Sequence, residues 1–206
     1  FLNKIKKVLE TVCYNCSKIK LDESNPQFAD ACKIREPKAR FNAVWRLCKA
    51  KSTCDSDNNA GDEENNFGDD AGTNPEKKKS HGGCGNKQPT IRREGLRLIG
   101  TWKPDKDAQE ETTQGEKKPI LPSEVLSIFK HITSDEIRKM GLSEDYARPE
   151  WMVITVLPVP PPPVRPSICV DGMGGGMRGE DDLTYKLAEI IRANASVRDA
   201  EQNGSP

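Results

Sequence analysis

Four cysteines are the residues of this chain whose types and spacing could do chemistry. Cys13 and Cys16 form a Cys-x-x-Cys pair, and Cys54 and Cys84 follow much later in the chain. A Cys-x-x-Cys turn presents two thiolates on one side of a tight loop, which is half of a tetrahedral zinc site. Because four thiolates fill the coordination sphere of zinc and leave no position for water or substrate, the predicted ion is structural rather than catalytic.

The second pair of ligands is open to two alternatives. His81 could replace Cys84, and Cys48 could replace Cys54. Glycines on both sides of Cys84 supply the backbone freedom that a ligand loop needs. Cys48 falls at helical spacing on an apolar stripe and is predicted to be a core residue, whereas Cys54 lies past that helix in a polar loop. The favoured ligand set is therefore Cys13, Cys16, Cys54 and Cys84.

Composition limits both the core and the partners of this chain. Leu, Ile, Val and Phe make up 40 of its 206 residues, near the border below which chains stop burying a core. We therefore expect the metal to decide whether residues 1–100 fold. The 32 basic and 32 acidic residues balance, so contact with nucleic acid would need a local basic patch. No membrane-length apolar stretch or signal peptide is present, and seven cysteines then favour a reducing intracellular compartment.

Apolar periodicity in the first half predicts three helices and a hairpin. The helices cover residues 1–12, 26–34 and a stretch beginning at Pro37, and the hairpin covers 88–103 with Glu94-Gly95 as its turn. Residues 55–70 hold seven acids and no base, so a solvated, disordered loop over 55–80 is predicted. Because Phe1 already lies inside the first helical pattern, we expect the chain to be a fragment.

The second half predicts further elements after a polar linker at 104–119. Ser123 is expected to cap one helix, and Thr133 begins a capping box for a short helix that ends at Gly141. The apolar run from Trp151 to Leu157 predicts a buried strand, and the Pro-rich segment 158–166 predicts extended backbone. An amphipathic helix is predicted over 181–200.

Two further motifs are decoys. Gly174–Gly179 reads as G-x-G-x-x-G, but three acids follow it where a pyrophosphate needs positive potential, so a surface loop is predicted rather than a dinucleotide-dependent oxidoreductase. Asp55-x-Asp57 could be imagined as a magnesium pair, but a solvated acidic loop is the favoured interpretation.

The basic residues form three small groups that could face phosphates if the metal centre gathers them. Any one group alone is more typical of solvated surface, and together they would form a composite patch. The candidate residues are Lys4, Lys6 and Lys7, then Lys49 and Lys51, and finally Arg92 and Arg93.

Several sequence blocks together resemble one known family, the largest subunit of eukaryotic RNA polymerase II, in the clamp region near its amino terminus. The resemblance covers essentially the whole chain except its two linker loops. The blocks that carry it are Cys13-x-x-Cys16, the helix at 40–49, His81-Gly-Gly-Cys84-Gly with Gln88-Pro89, Arg148-Pro149-Glu150-Trp151-Met152, the poly-Pro run at 155–166, and 179–188.

The resemblance implies an α+β fold: a zinc-stabilised clamp head at 1–103 with helices and a β-hairpin, the linker 104–119, and part of the helical and strand clamp core at 120–206. It assigns zinc to Cys13, Cys16, Cys54 and Cys84. In that family the clamp closes over DNA and the RNA–DNA hybrid. Implied partners are the other polymerase subunits, chiefly the second-largest, and initiation and elongation factors. The implied location is the nucleus.

The resemblance also implies a division of labour. The magnesium of the parent enzyme is held by an Asp-rich loop that this sequence lacks, so the chain is expected to be inactive alone although it belongs to a nucleotidyltransferase. The rival interpretation is a free-standing zinc-stabilised interaction module.

Overall fold

The computed structural model describes residues 1–55, 82–103, 115–169 and 176–204, arranged in two compact units, Phe1–Ile154 and Thr155–Pro206. Several predictions lie outside the described residues. These are the acidic loop beyond Asp55 with its Asp-x-Asp pair, His81, residues 104–114 of the linker, and the start of the Gly-rich loop.

Three helices open the first unit where periodicity predicts them: α1 (Leu2–Thr11), α2 (Pro26–Cys32) and α3 (Pro37–Lys49). Proline stands at the first position of both α2 and α3, where its missing N–H costs nothing. The Asn25 side chain caps α2 by accepting a hydrogen bond of 3.2 Å from the Phe28 N–H. These helix predictions are confirmed to within a few residues.

A three-stranded antiparallel sheet follows, in the order β1 (Thr90–Glu94), β2 (Arg97–Trp102) and β3 (Glu116–Ile120). The hairpin is confirmed, but its turn is Gly95-Leu96, because Glu94 already pairs with Arg97. Gly95 adopts a φ of 60°, which glycine tolerates best.

The predicted linker at 104–119 is wrong in its last residues, because Glu116–Ile120 forms strand β3. Its polar, lysine-rich composition resembles a linker, yet Ile120 is buried and pairs with Leu98 on β2. An exposed edge strand needs few apolar residues, so composition alone did not reveal it.

Two more helices, α4 (Pro122–Lys130) and α5 (Ser134–Lys139), join the same core. Ser123 is predicted to cap α4, but the helix begins at Pro122 with Leu121 at the N-cap position, and Glu124 accepts a 2.9 Å hydrogen bond from the Leu121 N–H. The capping box at Thr133 is confirmed, because Glu136 accepts from the Thr133 N–H at 3.0 Å.

One apolar core joins α1–α5 and the sheet. Its fully buried members come both from residues 1–103 and from residues 120–140, so this compact unit continues across the predicted linker rather than ending before it. Among its fully buried side chains, the largest are Phe28, Phe129, Ile132, Ile137 and Met140. The apolar residues are few but concentrated, which is why the chain can bury them.

The predicted buried strand at Trp151–Leu157 is wrong. Pro149–Met152 forms a 3₁₀ turn, and Ile154 and Val156 are 67% and 83% exposed. Pro149 favours the first position of a helical turn. A short apolar run cannot be assigned to a buried strand from its composition alone.

The second unit contains one long helix and a minimal two-stranded sheet. The Pro-rich segment is interrupted by a 3₁₀ turn at Pro162–Val164, so it is not extended throughout. Strands β4 (Ile168–Cys169) and β5 (Arg178–Gly179) precede α6 (Asp182–Asn203), which confirms the predicted last helix. Asp181 caps α6 by accepting a 2.9 Å hydrogen bond from the Leu183 N–H. Within the parts of the chain that the structure describes, no helix is both long and apolar enough to span a bilayer.

Candidate metal centre

The structure brings the four predicted cysteine sulfurs together. The Sγ atoms of Cys13, Cys16, Cys54 and Cys84 all lie within 4.8 Å of one another. The Cys13–Cys84 separation is 3.5 Å, and the Cys16–Cys54 separation is 3.7 Å. Residues up to 71 positions apart in the chain therefore meet at one point.

Local backbone structure aims the first pair of sulfurs. The chain leaves α1, reverses direction at Cys13–Ser17, and returns so that Val12 and Ile19 form a bridge. The Cys13 N–H donates to the Lys18 carbonyl at 2.7 Å, and the Ser17 N–H donates to the Cys13 carbonyl at 3.0 Å. Ser17 adopts a φ of 64°, the left-handed conformation that closes the turn.

The second pair of sulfurs is aligned by a short antiparallel contact between two polar segments. Thr53 and Lys87 form a bridge, and the Cys54 N–H donates to the Asn86 carbonyl at 3.0 Å. The Gln88 N–H closes the contact by donating to the Ser52 carbonyl at 2.7 Å. Cys54 is buried and Cys84 is exposed, so the centre has one open side.

The environment divides the thiols by their readiness to ionise. Desolvation by burial raises the pKa of Cys13 and of Cys54, because an anion is disfavoured away from water. Desolvation acts in the same direction at Cys84, but hydrogen bonds from the backbone and side chain of Asn86, together with those of the Cys13 and Cys16 thiols, outweigh it and lower the pKa of Cys84 to about 7. A bound cation would favour the thiolate form of all the ligands.

The donor set and its spacing fit zinc. A tetrahedral ZnS₄ site with Zn–S bonds of about 2.3 Å requires S···S separations of about 3.8 Å. The separations of 3.5 Å and 3.7 Å are close to that requirement. All seven cysteines are free, so no disulfide competes for these thiols. These four cysteines could therefore hold a metal ion such as zinc.

Cys48, the rival to Cys54, lies inside the apolar core. Its side chain is completely buried, and desolvation raises the pKa of Cys48 to about 12. It is therefore a core residue, as its position on the stripe of α3 predicts.

Lys20 is a neighbour of the centre that sequence reasoning missed. It is only 4% exposed, and burial lowers the pKa of its ammonium group. The thiols of Cys48, Cys13 and Cys54 and the Glu10 carboxylate oppose that shift, so a positive charge lies near a group of potential anions. Nothing in its sequence context distinguishes Lys20 from surface lysines.

Three of the predicted basic side chains gather along the contact between α1 and α3. The Lys4 Nζ lies 3.2 Å from the ring centroid of Phe41. The Nζ atoms of Lys7 and Lys49 lie 4.2 Å and 5.0 Å from the ring centroid of Trp45. Such cation–π contacts hold flexible side chains in place, and the Lys7 ammonium also donates to Asn42 Oδ1 at 3.0 Å.

The other predicted basic residues occupy different surroundings. Lys6 pairs with Glu10 at 3.7 Å, and Lys51 pairs with Asp55 at 2.9 Å. Arg93 donates to the Gly95 carbonyl and to Asn3, which links β1 to the start of α1. Arg92 is exposed on β1.

The fold and the four-cysteine centre together define a small α+β domain with a site that could hold zinc. A family model described as RNA polymerase Rpb1, domain 1, matches residues 1–206. The chain therefore belongs to this family and is a piece of the largest subunit of DNA-directed RNA polymerase, a nucleotidyltransferase that carries out transcription. The match does not favour a free-standing interaction module.

Proposed function

We propose that this chain is part of the mobile clamp of eukaryotic RNA polymerase II, with one structural zinc ion held by Cys13, Cys16, Cys54 and Cys84. The observation that carries the proposal is the meeting of four sulfurs from three separate segments within 4.8 Å. The sequence blocks that resemble the polymerase II subunit support the finer assignment.

The proposed role of the four cysteines is structural, because a metal ion bound by them would hold separate segments together. When bound, zinc would supply a cross-link between the turn after α1 and the two segments around Cys54 and Cys84. Four thiolates leave zinc no open position, so the centre has no catalytic step. The buried Lys20 ammonium would offset part of the excess negative charge. We assign catalysis, with its magnesium, to other parts of the parent enzyme, and expect this chain alone to be inactive.

The contact between α1 and α3 is the proposed surface for DNA and the RNA–DNA hybrid. There Lys4, Lys7 and Lys49 are aligned over aromatic rings. Lys6 and Lys51 are paired with acids and are expected to contribute less. Arg92 and Arg93 would extend the surface from β1. The proposed protein partners are the second-largest subunit and factors that bind the clamp in the nucleus.

The metal is tested on the purified chain by elemental analysis together with thiol titration. We expect one zinc per chain, with only Cys32, Cys48 and Cys169 reacting after mild denaturation. A purified native chain that contains no zinc and in which all seven thiols react would contradict the zinc assignment.

The nucleic-acid surface is tested by the salt dependence of DNA affinity. Each phosphate contact contributes about −0.9 to the slope of log K against log salt. Replacing Lys7 and Lys49 with Ala should therefore flatten the slope by about 1.8. The matched control is Lys33→Ala with Lys130→Ala, two exposed lysines at the ends of α2 and α4 and outside both α1 and α3. Equal slopes in both double variants would refute the proposed surface.

The polymerase II assignment is tested in cells. Chromatin immunoprecipitation of the tagged full-length protein should recover messenger-RNA genes, and the second-largest subunit should copurify. Recovery confined to ribosomal or transfer-RNA genes would assign the chain to a different polymerase.

A further inference from the structure

Gln88 contacts all three segments that form the metal centre, and its backbone N–H reaches the Cys54 segment by donating to the Ser52 carbonyl. The residue is 8% exposed, and its Nε2 lies 3.1 Å from the Cys13 Sγ. The same nitrogen donates to the Asn86 carbonyl at 2.9 Å, and Oε1 accepts from the Tyr14 N–H at 2.8 Å. One buried amide thus contacts the turn after α1 and the segment that carries Cys84.

The partners determine which way this amide faces. The Tyr14 N–H can only donate, so it must meet the oxygen of Gln88, and the Asn86 carbonyl can only accept, so it must meet the nitrogen. With the oxygen and one N–H assigned in this way, the remaining N–H points at the Cys13 sulfur. Every hydrogen-bonding group of the side chain then has a partner, as a buried amide requires.

We propose that Gln88 is a positioning residue of the metal centre, whose N–H···S hydrogen bond to Cys13 strengthens metal binding and sets the electronic character of that thiolate. This inference rests on the proposed zinc site. A hydrogen bond to a thiolate favours its charged form, and Cys13 is completely buried, so water cannot replace the donor. Partners of this kind orient metal ligands, and their loss commonly weakens metal binding by roughly 10- to 100-fold.

Asn86 provides an internal comparison. Its Nδ2 donates to the Cys84 Sγ at 3.2 Å, but this contact is exposed. Water can take the place of an exposed donor, so Asn86→Ala should weaken metal binding less than a change at Gln88. The difference between the two residues follows from burial rather than from distance.

The test compares Gln88→Glu and Gln88→Met in the purified chain, with Gln27→Glu as the matched control on the exposed side of α2. Glutamate still accepts from the Tyr14 N–H but places an anion against Cys13, whereas methionine removes the hydrogen bonds without adding charge. Zinc affinity is measured by competition with a chromophoric chelator. We expect losses of roughly 10-fold for Gln88→Met and up to roughly 100-fold for Gln88→Glu, with no change for Gln27→Glu.

A second readout separates this role from simple support of the fold. In the Co²⁺-substituted chain, losing the N–H···S bond should shift the sulfur-to-metal charge-transfer band to longer wavelength, because the thiolate electrons become less stabilised. Circular dichroism at saturating metal checks that each variant folds. If Gln88→Glu does not fold, the comparison of Gln88→Met with the wild-type chain remains as the test.

Two results would overturn the inference, and they differ. If the wild-type chain binds zinc but the variants match its affinity and Co²⁺ spectrum, Gln88 has no positioning role and the zinc site stands. If the wild-type chain binds neither metal, the proposed site fails and the inference fails with it.

Discussion

Removing the metal should release the two polar segments of the centre while the apolar core stays folded. Residues 52–55 and 82–88 are joined by the Thr53–Lys87 bridge and a few backbone hydrogen bonds. The core around Phe129 and Ile137 is built from α1–α5 and the sheet and contains none of the four ligands. The structure therefore predicts a local effect, in place of the loss of residues 1–100 that composition suggests.

The size of the effect follows from the loop that a bound metal would close. Cys54 and Cys84 are separated by about 30 residues, and cross-linking a loop of that length stabilises a chain by about 4 kcal/mol in the chain-entropy treatment. A change of 1.4 kcal/mol corresponds to a factor of ten, so amides held by the cross-link should exchange about a thousand-fold faster without it.

Hydrogen–deuterium exchange with and without a chelator measures this effect. The reporter amides are those of Cys54 and Gln88, which donate to Asn86 and Ser52. The internal reference is the Ile137 amide, which donates to the Thr133 carbonyl inside the core. Unchanged exchange at Cys54 and Gln88 would refute the cross-link, and simultaneous loss of protection at Ile137 would refute the independence of the core.

Three further predictions test the packing around the centre. Phe129→Ala empties a fully buried position and should lower the free energy of unfolding by about 3–5 kcal/mol in urea titrations. A loss below about 1 kcal/mol would contradict the placement of α4 in the core. Burial and the Glu124 carboxylate raise the pKa of Tyr14 from 10.0 to about 12. Because the folded state then favours the neutral phenol, the free energy of unfolding should fall as pH rises from 10 through 12. Tyr14→Phe should remove that loss, and identical pH profiles of the two proteins would contradict the assignment. Glu136→Ala should lower the free energy of unfolding by about 2–3 kcal/mol, because the carboxylate caps α5 and accepts from the Ile19 N–H at 2.9 Å. The control Asp135→Ala, which removes only an exposed ion pair with Lys139, should lower it by less than about 1 kcal/mol. Equal losses would rule out the link to Ile19.

Local signals predicted the helices of this chain well and its edge strand poorly. The apolar stripe of α3 and the Thr133 capping box depend on residues within a few positions of one another, so they can be read in sequence. Strand β3 depends on pairing with β2, a contact that its own lysine-rich composition does not record. The run from Trp151 to Leu157 failed for the opposite reason, because apolar residues without a neighbouring element do not specify a strand.

At the candidate metal centre, the cysteines could be predicted from the sequence, but the residues packed around them could not. Cysteine is rare, and the Cys-x-x-Cys spacing itself indicates metal binding, so the first two candidate ligands follow from spacing, whereas the other two are favoured over their rivals by their loop context. Gln88 and Lys20 are common residue types whose roles come only from burial beside those sulfurs. A glutamine after a cysteine loop carries no signal of its own.

The amino-acid sequence by itself determined the apolar faces of the helices and the Thr133 capping box, and it predicted four cysteines as candidate ligands, because these depend mainly on residue type and short-range spacing. Tertiary structure decided that residues 120–154 share a core with the half that carries the four cysteines, that Glu136 ties α5 to Ile19, and that one buried amide contacts Cys13. These features join residues from 75 to 117 positions apart. Only folding brings such residues together, because no local periodicity encodes a contact over that distance.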